Sequence, residues 1–129
     1  MVAEHVASAH EGFQAVLREL EPAKAALTDV VPGSRIPGRP LHHALEEFEH
    51  RLERARSLMP GWRCDELAVE WEACEAGLAT ASSSARRIGS EAHRIEGFEG
   101  LLGAVSSLLD PLEPFADAEE SFRALRISR

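Results

Sequence analysis

The chain has 129 residues, 44% of them hydrophobic and 28% charged, a length that fits one domain and a balance that excludes a disordered chain. Its net charge of −8 opposes nonspecific binding to nucleic acid or to an anionic membrane surface. Aromatic residues make up only 5% and Tyr is absent, so the core must rest mainly on Leu, Val, Ile and Ala, in a composition that favours helix.

In chain order, Met1 to Val6 lacks the basic and apolar regions of a secretion signal. The first helix is predicted over about residues 3 to 29. Val2, Val6, Ala9, Phe13, Val16, Leu20, Ala23 and Leu27 follow steps of four and three, which keep one narrow apolar stripe on a helix. Pro22 removes a donor, so a kink near Glu21 is expected rather than a stop. Residues 30 to 40 hold three prolines and two Pro-Gly pairs and read as a loop of turns.

The second helix starts at Pro40 or Leu41 and carries Leu41, Leu45, Phe48, Leu52, Ala55 and Met59 at the same spacing, until Pro60-Gly61 ends it. Trp62 is expected to pack over the end of the bundle. A third helix opens near Asp65, a favourable N-cap, with Leu67, Trp71, Cys74, Leu78, Ala81, Ala85 and Ile88 in register. Small residues dominate from Ala73 to Ala85, which predicts a central helix. Gly89 fits a C-terminal cap and Ser90 a new N-cap.

The fourth helix, over about 91 to 109, spreads Ile95, Phe98, Leu101, Leu102, Val105, Leu108, Leu109 and Leu112 over a broad arc, so it must touch more than one partner. Its stretch from Leu101 to Leu109 is about half the length needed to span a bilayer. Asp110-Pro111 restarts the chain, and Phe115, Ala118, Phe122 and Leu125 give a short last helix before a basic tail from Arg126 to Arg129. The expected architecture is all-α, a single domain over residues 1–129 forming an antiparallel bundle of four to five helices with heptad-type packing. Cys64 and Cys74 lie ten residues apart, about 15 Å along a helix, beyond disulfide reach. Two reduced thiols, with Cys74 on the core face, point to a cytoplasmic protein with no membrane association.

Several motifs invite a chemical reading. Glu47-x-x-His50 has the spacing with which ferritin-like di-iron bundles present two ligands. Such ligands must point inward, whereas His43, Glu47 and His50 project nearly opposite the stripe of Leu41, Leu45, Phe48 and Leu52. A solvated face of i,i+4 pairs is the expected structure, with no metal and no cofactor. Gly97, Gly100 and Gly103 follow no strand, which rules out a dinucleotide fingerprint; they are expected to permit a close helix crossing. There is no G-x-S-x-G, and neither cysteine has an adjacent base.

Arg87-x5-His93, with Arg86 one residue upstream, resembles the R-x4-6-H signature of the HEPN family of helical nucleotide-binding and ribonuclease domains. That resemblance implies RNA cleavage carried by Arg87 and His93. It covers only these residues, and Ile88 stands where many members have a polar one. Separately, Arg35, Arg39, His42 and His43 gather at the start of the second helix, where cations oppose the helix dipole and free N–H groups favour an anion. They are candidates for a small-anion site.

The residues as a whole favour a non-enzymatic bundle that acts by protein–protein interaction, as a homodimer or with a protein partner. Leu101, Leu108, Leu112, Phe115 and Phe122 are the expected interface, because the stripes of the first three helices can close one core without them. The HEPN-like activity and the small-anion site are the alternatives.

Overall fold

Apolar residues at steps of four and three gather on one side of a helix, and the described residues of the first three predicted stripes lie in the interior or at its margin. The structure is a computed structural model describing residues 4–28, 41–91 and 97–127. Its regular elements are α1 (Glu4–Thr28), α2 (Leu41–Leu58), α3 (Ala68–Glu91), α4 (Gly97–Leu109) and α5 (Pro114–Ile127). Short 3₁₀ turns occupy Met59–Trp62, Asp65–Leu67 and Asp110–Leu112. Among the described residues there is no strand, and no helix is long and apolar enough to cross a membrane.

Helix α1 continues through Pro22. Proline cannot bond back to the carbonyl of Arg18, but Arg18 stands on the exposed side, where water can take that bond. The stripe from Val6 to Leu27 is buried against α2 and the Met59–Trp62 turn. At the rim of the α1–α2 seam, Arg51 donates to Glu19 at 3.0 Å and to Glu47 at 3.1 Å, and Arg54 Nε lies 3.3 Å from the same Glu19 oxygen. Those bonds, Glu19 first and then Glu47, push the Arg51 guanidinium above its ordinary pKa.

Backbones also meet directly. A Cβ placed on Gly12 would stand 2.2 Å from the carbonyl oxygen of Gly61, so α1 rests on the turn after α2 with no side chain between. Trp62, in the turn that ends α2, is fully buried. Its ring meets Phe13 edge-on at 4.9 Å, and its Nε1 donates to Met59 Sδ at 3.2 Å. That bond satisfies the indole inside the core, which removes the need to reach water.

Helix α3 is central, packing against α2, α4, α5 and the Asp110–Leu112 turn. Its boundaries differ from the sequence expectation at both ends. Asp65 lies in a 3₁₀ turn that Cys64 precedes in extended backbone with no side-chain cap, and α3 begins at Ala68. At the other end the helix runs through Gly89 and Ser90 to Glu91, and Ser90 Oγ donates to the carbonyl of Arg87 at 2.8 Å. A serine can bond back to its own helix as well as cap a new one, and here it does the former.

The last third of the chain departs furthest. Leu108, Leu112, Phe115 and Phe122 are buried within the chain rather than displayed as an interface. Helix α5 packs chiefly on α3, and its rings reach α1: Phe122 lies 5.1 Å from Phe13, and Phe115 stacks on Phe13 at 6.2 Å. Gly77, Ala81 and Ala85 on the buried side of α3 are small and let a neighbouring element approach closely, and α5 packs there with Phe115 and Phe122 in the core. Gly77 itself touches the Asp110–Leu112 turn, where an added Cβ would stand 2.1 Å from the Pro111 carbonyl oxygen.

Candidate functional site

The histidine-rich face of α2 follows from its register. With Ala44, Leu45, Phe48 and Leu52 buried, His43 and His50 are exposed, while Glu47 is half-buried and bonded to Arg51. Among the described residues no group of three or more His, Cys, Asp and Glu stands together as a metal site. Arg35 and Arg39, with the side chain of His42, lie outside the described residues, leaving His43 as the one described member of the anion candidates.

Arg87 is exposed on α3, one turn before the helix ends, and His93 lies outside the described residues. The helix continues past Arg87, so neither Arg86 nor Arg87 belongs to the last turn, where the dipole would favour a cation. A shallow surface depression runs beside Arg87 past Ser83, Ser84 and Thr80. Between α2 and α3, a groove of about 340 Å³ is lined by Glu49, Glu53 and Arg56 of α2 and by Arg86 of α3, two charges of each sign.

The two thiols are free and chemically quiet. Burial first, then the negative charges of Asp117 and Glu70, pushes Cys74 up to about 12, and burial also raises Cys64. The thiolate is the nucleophile, so a thiol held neutral does not attack. Iodoacetamide at neutral pH should leave Cys74 unmodified in the folded chain and alkylate it after denaturation. Ready alkylation of folded Cys74, read by mass spectrometry, would contradict this placement.

The interface candidates divide. Leu101 is half-buried, while Leu108, Leu112, Phe115 and Phe122 belong to the core. Instead Leu102 reaches the surface at 43% exposure, with Gly103 and Ser106 exposed beside it. Among the described residues Gly103 makes no close crossing: an added Cβ would meet none of their atoms within 4 Å. Helix α4 has a single charged residue, Glu99, exposed one turn before Leu102, so its outward edge carries one charge on an acidic chain.

A second feature escaped the sequence reading. A groove of about 400 Å³ opens where α1 passes the junction of α4 and α5. Leu17 and Leu109, both half-buried, contribute to its apolar floor, and Glu21, Asp110, Glu113 and Glu119 stand around it. Leu17 was the available signal, an apolar residue beside Val16 and off the four-three stripe of α1. No family model matches this chain, and no curated protein or solved structure matches it.

Proposed function

We propose that this is a non-enzymatic helical-bundle protein, antiparallel with heptad-type packing, that acts by protein–protein interaction and pairs with a second copy of itself through the outward edge of α4. The observation that carries the reading is the charge-poor face around Leu102. A chain of net charge −8 repels its own copies, and two copies approach at least electrostatic cost where charge is sparse. Leu102 supplies apolar area there, half-buried Leu101 adjoins it, and Gly103 and Ser106 leave the helix backbone approachable. Two-fold pairing buries the same patch from both chains and is the commonest symmetric arrangement. Cys64 and Cys74, both free, support a cytoplasmic setting, where thiols stay reduced.

Sedimentation at micromolar concentration tests this. The wild-type chain should run as a dimer and Leu102→Glu as a monomer with unchanged helix content, because position 102 lies outside the core. A wild-type chain that stays monomeric throughout, or a Leu102→Glu variant that still pairs, would overturn the assignment.

A further inference from the structure

The groove between α1 and the α4–α5 junction combines an apolar floor with an acidic rim, and the two features ask for different parts of one ligand. Leu17 from α1 and Leu109 from the end of α4 give the floor area that is only half covered. The rim carries four carboxylates, Glu21, Asp110, Glu113 and Glu119, all exposed. None of the four forms an ion pair or side-chain hydrogen bond among the described residues, although Lys24 lines the same groove. Lys24 is the one lysine of the chain, so a single local cation stands among four anions.

We infer that this groove is a docking site for a basic amphipathic helix of a partner protein. Apolar residues of such a helix cover Leu17 and Leu109, and arginines or lysines on its flanks meet the rim. Helix-in-groove recognition places apolar anchors three and four residues apart, with charged positions on either side. Displacing water from the floor strengthens the charge pairs at its edge, and guanidinium groups match carboxylates with paired hydrogen bonds. The charges also choose against other occupants. A second copy docked here by two-fold symmetry sets the same four carboxylates against themselves. Nucleic acid and anionic membranes are repelled for the same reason. The groove does not include Leu102, which lies two turns before Leu109 on α4, and the inference does not rest on self-association.

The test uses the full chain and a fluorescent synthetic helix of about five turns, with leucines on one face and arginines on its flanks. Fluorescence anisotropy should show binding that weakens with added salt. The double variant Glu113→Lys, Glu119→Lys should weaken it by about tenfold or more. Glu53→Lys, Glu72→Lys makes the same change in net charge on exposed residues away from the groove, and should weaken it much less. Equal loss in the two double variants would reduce the effect to diffuse attraction and overturn the site. Equal binding of a peptide with serines in place of the leucines would also overturn it, leaving a site for charge alone. If the groove variant instead abolished pairing of wild-type chains in sedimentation, the occupant would be a second copy and the inference would fail.

Discussion

Gly77→Ala should destabilise the fold by about 3 kcal/mol, lowering the melting temperature by roughly 10 °C. The added methyl carbon would stand 2.1 Å from the carbonyl oxygen of Pro111, which is backbone and has no rotamer with which to move aside. Relief requires α3 and the Asp110–Leu112 turn to separate, and that turn positions α5. Gly12→Ala meets the same obstacle at Gly61, 2.2 Å away, and should act in the same direction. Gly103→Ala is the contrast. It also lies inside a helix, but its Cβ meets none of the described residues, so the gain in helix propensity should stabilise by about 0.5–1 kcal/mol. Thermal unfolding of the three variants decides the matter. A Gly77→Ala protein as stable as wild type would mean that α3 does not approach Pro111 so closely.

The same three glycines show where sequence reasoning stops. The steps of four and three on α1, α2 and α3 were legible because each helix presents one stripe to one interior, and periodicity alone identifies such a stripe. The small-residue middle of α3 likewise announced a helix with close neighbours on several sides. What a glycine is for depends on the atom opposite, which no periodicity reports. The series Gly97, Gly100 and Gly103 looked like the crossing point, yet a Cβ on Gly103 meets no described atom within 4 Å, and the close approaches among the described residues include Gly12 and Gly77. Gly77 was hidden among alanines and serines, and Gly12 had no pattern around it.

The candidate sites were legible in a similar, partial way. The exposure of His43 and His50 followed from helix geometry, whereas Glu47, expected beside them, is half-buried and bonded to Arg51. The acidic groove did not, because its floor joins the end of α4 to a residue beside the α1 stripe, far apart in sequence. The broad arc of α4 pointed to more than one neighbour, but periodicity does not say whether the further neighbour lies in the same chain or in a second copy. Its Leu108 and the following Leu112 face the interior that α3 leaves open, and Leu102 is the residue left for water.

Phe122→Ala should cost about 3–5 kcal/mol, and the loss should not depend on protein concentration. Phe122 is 1% exposed, with its ring 5.1 Å from Phe13, 6.0 Å from Trp62 and 5.2 Å from the His10 ring. Truncation removes the contacts of Phe122 with Phe13, His10 and Trp62, while the Phe115–Phe13 stack remains, and it leaves a cavity beside Trp62. The concentration test separates the two places this residue could act. At an interface between copies, its loss would lower the association constant and leave the dilute monomer as stable as before. Inside one chain, unfolding weakens equally at every concentration, and the transition loses cooperativity if α5 detaches first. Denaturant titrations across a wide range of protein concentration read both outcomes directly. A midpoint that falls only in concentrated samples would return Phe122 to a surface between chains, and with it the assignment of α5 to the core.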